Sequence, residues 1–186
     1  MATYRRFTHE PEDWKNTMGV GIQPGTTAIS ENSTKLDNLV KQASSIVFDK
    51  YKQKYSLVYQ SCLRKDQIPY GIGALQPDGG IWFIDTIPIM ISEAKYQGDR
   101  GNAIERWFKN VYIARLINPN ITYLTFACGL GVLEHKPIYD TLYLPHKGMY
   151  NVVQPKQNTA FLKVDGFLLE EVVNIIEDTF IQTMEG

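Results

Sequence analysis

The chain has little of several things that would assign it quickly. Only two cysteines, Cys62 and Cys128, occur in 186 residues. That is too few for a disulfide framework and fits reduced thiols inside a cell. As small apolar side chains they also serve simply as core residues. Histidine is scarce: His9, His135 and His146 are the three, and none has partners at zinc-ligand spacing. Neither sign of charge dominates, with 19 Lys and Arg against 20 Asp and Glu and a net charge of -1. No overall basic field announces a nucleic-acid partner, although basic groups gathered in one cleft serve as well. No apolar run nears the roughly 20 residues that span a bilayer. The opening MATYRRFTHEPEDW lacks the apolar centre of a signal peptide. The expected setting is cytoplasmic, with no membrane partner. No repeat and no low-complexity tract interrupts the chain.

What is present suits one folded domain over residues 1–186. Hydrophobic residues make up 44% and charged residues 21%, as in ordinary globular chains long enough to bury a core. Residues 1–33, broken by Gly19, Gly21, Pro24 and Gly25, read as an irregular and mobile arm. Ser33 or Thr34 then caps a helix whose buried stripe is Leu36, Leu39, Val40, Ala43, Ile46, Val47 and Tyr51. Residues 56–59 read as a strand and 63–70 as a polar loop.

The stretch 77–109, PDGGIWFIDTIPIMISEAKYQGDRGNAIERWFK, organises the rest. Two β-prone runs, 81–83 and 89–93, flank Asp85, Thr86 and Pro88 as turn material, which predicts a hairpin. Alternation along a strand puts Glu93 and Lys95 on one face and Ala94 on the other. Asp78 precedes the first strand, so pairing brings Asp78, Glu93 and Lys95 together. Two carboxylates form a hard-oxygen site for a small divalent cation. Such a cation polarises a phosphoryl oxygen and acidifies bound water, and a lysine steadies the charge that develops. The same pattern also describes a plain strand end with a solvated Glu and Lys.

Next comes a helix expected from about Asn102 to Ile117. Ile104, Trp107, Phe108, Val111 and Ala114 form its apolar face. Asn102, Glu105, Arg106 and Lys109 follow i, i+3, i+4, i+7 spacing on the other face. On geometry alone that polar face is solvated. It also has the chemistry of base reading: Asn pairs with adenine N6 and N7, Glu accepts from an exocyclic amine, and Arg reaches bases or phosphates. A buried strand over 121–127, a loop-rich excursion over 131–155, a strand over 159–164 and an amphipathic helix carrying Leu168, Leu169, Val172, Val173, Ile176 and Phe180 complete the chain. The turn at 128–131 has no Lys-Ser/Thr after it, so no nucleotide cofactor is expected. The order predicts a three-layer α/β domain with a central mixed β-sheet flanked by helices.

PDGG, then SEAKYQG, then GNAIER resembles the core of EcoRI-type type II restriction endonucleases, within the PD-(D/E)XK nuclease superfamily. The resemblance covers roughly residues 76–110, with a weaker echo over 123–129. It implies a restriction-endonuclease-like core and a magnesium-dependent homodimer that cuts double-stranded DNA at a palindrome. The implied catalytic residues are Asp78, Glu93 and Lys95, with Asp78 and Glu93 as metal ligands. The implied base-reading segment is Gly101, Asn102, Ala103, Glu105 and Arg106, with Lys109 one turn beyond, and the implied inner site is AATT. The short interval from Asp78 to Glu93 leaves room only for a tight hairpin. A non-cleaving DNA-binding module on the same core, or a repair or structure-selective nuclease, is the alternative.

Overall fold

Apolar residues spaced three and four apart place Leu36, Val40, Ala43 and Val47 on one side of a long helix, α1 (Thr26–Tyr51), and all four are buried. Fully burying each Leu or Val contributes roughly 1.5–3 kcal/mol. The computed structural model of the chain describes residues 26–97, 103–129, 131, 158–163 and 166–185, with side chains for all of these except 26–31, 103–105, 158–160 and 162. Residues 1–25 of the expected arm lie outside that set. Residues 26–33 are helical, so Ser33 and Thr34 sit inside α1 and do not cap it. Ile46, expected in the stripe, is 45% exposed and lies to the side of the buried row Leu36, Val40, Ala43 and Val47.

After α1 come β1 (Leu57–Gln60), β2 (Ile81–Ile84), β3 (Ile87–Tyr96), α2 (Ala103–Ile117), β4 (Thr122–Cys128), β5 (Asn158–Lys163) and α3 (Leu169–Glu185). The strands form one sheet in the order β1-β2-β3-β4-β5. β1, β2 and β3 pair antiparallel, and β3, β4 and β5 pair parallel. The fold is therefore mixed α/β. Parallel β3 and β4 need a crossover, and α2 lies in the connection.

Period-two alternation splits the core between the two sheet faces. Ile91, Tyr123 and Ala127 meet Trp107, Val111, Ile113 and Ala114 of α2. Met90, Ala94, Leu124 and Phe126 meet α1 together with Val172, Ile176 and Phe180 of α3. Every residue of β4 is buried, as a strand covered on both faces should be. Phe180 makes ring contacts with Tyr51, Tyr55 and Trp82, and the Tyr51 hydroxyl donates to Glu177 at 2.5 Å. These contacts lock α3 onto α1 and the sheet.

The hairpin has a two-residue turn, Asp85-Thr86, with Asp85 at φ +54. Pro88 is not turn material: it lies in β3, buried, opposite Phe83. Proline lacks the ladder N–H, and the register shifts at Trp82/Phe83. Residues 63–70 are a more ordered connection than a polar loop, with two short 3-10 turns and buried Leu63 and Ile68. Besides Ile46, two apolar residues expected to face inward lie outward: Phe108 is 39% exposed and Leu168, just before α3, is 75% exposed. No helix among the described residues is long and apolar enough to cross a membrane. Apart from residue 131, the 131–155 excursion falls outside the described residues.

Candidate active site

The PDGG turn is pinned to β3 before any functional group is considered. Gly79 N–H donates to the Ser92 carbonyl at 2.9 Å, and Gly80 N–H to the Pro77 carbonyl at 3.1 Å. A Cβ on Gly79 would overlap the hydroxyls of Ser92 and Ser44. Those two hydroxyls share a buried hydrogen bond of 2.6 Å between α1 and β3. The turn lies against this pair only because residue 79 has no side chain.

Asp78 is thereby delivered to β3. Its Oδ2 accepts from the Ala94 N–H at 2.9 Å, so the carboxylate reaches the backbone between Glu93 and Lys95. Glu93 is 2% exposed. Its Oε1 accepts from the Lys95 ammonium and, at 3.2 Å, from the Asn110 amide of α2. Its Oε2 is buried and has no hydrogen-bond partner among the described residues. The structure thus brings Asp78, Glu93 and Lys95 into one cluster and leaves one buried carboxylate oxygen open.

A buried carboxylate oxygen without a donor is costly. Among the described residues no group of three His, Cys, Asp or Glu side chains could hold a metal ion. Asp78 and Glu93 are the two carboxylates that would hold a hard divalent cation there, and two carboxylates are a donor set that suits magnesium.

Burial pushes the Glu93 carboxyl up to about 7; Lys95 opposes this, the Asp78 charge adds to it, and the Lys95 and Asn110 hydrogen bonds oppose it. Asp37 of α1 joins the same field. Its carboxyl is pushed up to about 6 by burial and by Asp78, against the pull of Lys95. Burial, and then the Asp37 charge, raise the Cys128 thiol to about 11, which makes it inert.

A carboxyl that holds its proton more tightly folded than unfolded stabilises the fold at low pH. That contribution is complete below the unfolded value of 4.5 and is lost as pH rises through about 7. The metal-free protein is therefore expected to lose on the order of 3 kcal/mol between about pH 5 and 8. Denaturant titrations in EDTA across that range check this. Glu93→Gln should remove most of the loss, and a flat wild-type curve contradicts a raised Glu93.

The expected base-reading face is less completely described. Gly101 and Asn102 lie outside the described residues, and Ala103 and Glu105 are placed only as backbone in α2. Arg106 and Lys109 carry exposed side chains on α2, and the end of Lys109 lies over Gly73. Sequence reasoning missed Asp37, Asn110 and the Ser44–Ser92 pair. Asp37 had a signal, an acid beside the buried stripe residue Leu36. Asn110 had only its place one turn beyond Arg106, and the serine pair had none.

Compared with known protein families, with curated proteins and with solved structures, the chain has no match.

Proposed function

We propose that this chain is a type II restriction endonuclease, which hydrolyses both strands of a palindromic duplex site built on AATT with magnesium as cofactor. The observation that carries the reading is the open, buried Oε2 of Glu93 beside Asp78 and Lys95. A plain solvated strand end would leave that carboxylate in water. A mixed sheet with helices packed on both faces also suits the restriction-endonuclease-like core that the resemblance implies.

Asp78 and Glu93 would hold the cation, which supplies phosphoryl polarisation and an acidified water. Lys95 sits at Glu93 Oε1, where a fixed positive charge steadies the phosphorane as negative charge builds. A helix N-terminus offers free N–H groups and a positive dipole to a phosphate, and α2 begins just beyond the cluster in the chain. Asn102, Glu105 and Arg106 supply the base-reading chemistry around that helix start, with Gly101, Ala103 and Lys109 as backbone and phosphate contacts.

The test is digestion of phage DNA with Mg2+ followed by sequencing of the fragment ends. All ends should abut one palindrome containing AATT, and EDTA should stop the reaction. Random ends, or no cutting, overturn the proposal.

The working form is expected to be a two-fold homodimer, because one cleft serves one strand and a palindrome has two-fold symmetry. Such a dimer should bury on the order of 1,600 Å². Sedimentation equilibrium should give two chains. A monomer that only nicks plasmid contradicts this.

A further inference from the structure

Three of the side-chain hydrogen bonds that join the α2 region to the sheet reach β3 and β4 directly. Trp107 Nε1 donates to Thr125 Oγ1 of β4 at 2.7 Å, within the core. Asn118, just past the helix, donates to the Pro88 carbonyl of β3 at 2.7 Å. The third is Asn110 Nδ2 to Glu93 Oε1 at 3.2 Å. The first two anchor the helix to inert groups. The third ends on the most buried carboxylate of the candidate site.

Asn110 lies one turn beyond Arg106 and next to Lys109. Those two side chains are exposed, while Asn110 is half-buried and turns toward the sheet. One helix therefore offers cations to solvent and an amide donor to Glu93. Lys95 and Asn110 both donate to Oε1, and neither serves Oε2. Two donors on one oxygen hold the carboxylate so that the other oxygen stays open. Lys95 approaches from Glu93's own strand, on a long flexible stem. Asn110 approaches from a different element on a short arm, so its hydrogen bond responds to where α2 sits.

We propose that Asn110 is a positioning residue that orients Glu93 for a divalent cation and ties that orientation to the seating of α2. The coupling to DNA rests on the function proposed above; the orientation of Glu93 does not. If DNA engages α2, cation binding and helix seating strengthen one another, because such coupling is reciprocal. The cation is then held weakly until α2 is engaged.

The experiment measures Mn2+ affinity of the full-length chain by calorimetry in the absence of DNA. The variants are Asn110→Leu, which keeps the volume and removes the donor, Asn110→Gln, which keeps the donor, and Glu93→Gln as reference. Removing a partner of a metal-ligating side chain typically costs about 10–100-fold in affinity. Asn110→Leu should show that loss, and Asn110→Gln should recover part of it. Thermal melts establish that each variant is folded, and Asn110→Ala replaces Asn110→Leu if the latter is not.

Cleavage supplies the second readout. The Mg2+ concentration at half-maximal rate should rise by a similar factor in Asn110→Leu, with the rate at saturating Mg2+ changing less. A role in packing alone would move stability and leave the Mg2+ dependence in place. Wild-type Mn2+ affinity in Asn110→Leu overturns the inference even if the wild type cuts DNA. A wild type that binds no duplex overturns the endonuclease reading, while the Mn2+ comparison still decides the role of Asn110. Mn2+ binding unaffected by Glu93→Gln overturns both.

Discussion

Cleavage is expected to fall by about a thousandfold or more in Asp78→Ala and in Glu93→Ala, with the fold intact. A catalytic cation contributes several kcal/mol of transition-state stabilisation, and each 1.36 kcal/mol is about a factor of ten in rate. Both carboxylates are needed, because neither alone offers more than part of a divalent site. The two variants should differ in stability. Glu93 is buried with an unpartnered oxygen; alanine there removes that unfavourable burial but leaves Lys95 and Asn110 without their acceptor, so the two effects oppose each other in the metal-free protein. Asp78 accepts from the Ala94 N–H, so its removal leaves that N–H without its acceptor and costs some stability, while the backbone bonds of Gly79 and Gly80 still hold the PDGG turn. DNA binding without metal should survive in both variants, since the carboxylates repel phosphate when no cation screens them. Single-turnover cleavage and gel-shift assays on one duplex separate the two effects. Full cutting by Asp78→Ala would remove this cluster as the catalytic site.

The second large effect concerns sequence recognition. Asn102→Ala should weaken binding to an AATT site by roughly 1–3 kcal/mol per half-site, and a dimer has two half-sites. Asn presents one acceptor and one donor, which match adenine N6 and N7. Binding to unrelated duplex rests on charge and salt, and should change little. Discrimination between the AATT site and single-base variants should therefore collapse while salt-sensitive background binding persists. N6-methylation of the adenines should mimic the loss in wild type and add little in the variant. If a site lacking AATT is bound and cut by the wild type as well, residues 101–106 do not read this sequence.

How far the chain is legible differs from element to element. The α1 stripe is visible in Leu36, Val40, Ala43 and Val47, because burial on a helix recurs at a fixed period. The start of α1 is not. Ser33 and Thr34 look like caps, yet the helix runs through them from Thr26. A local cap preference worth about 1 kcal/mol yields when neighbouring residues extend the helix. Pro88 departs from its local preference for a related reason. Proline favours turns, but a bulge lets it lie in a strand without breaking the sheet. Periodicity alone puts Ile46 and Phe108 inward, and whether a flank is covered depends on which neighbour reaches it.

Short-range periodicity was enough to relate the central residues of the candidate site. Glu93 and Lys95 had to share a strand face, Ala94 had to oppose them, and the short interval after Asp78 required a tight hairpin. Three other relations came from packing and from nothing local. α1 brings Asp37 into the field of Asp78, Ser44 and Ser92 leave residue 79 no room for a side chain, and Asn110 of α2 reaches Glu93. Asp37, Ser44 and Asn110 stand 41, 48 and 17 positions from Asp78, Ser92 and Glu93 respectively. No local rule relates residues so far apart. They meet because the two faces of one sheet must each be covered by a helix, and the helix that covers a face brings its polar residues with it.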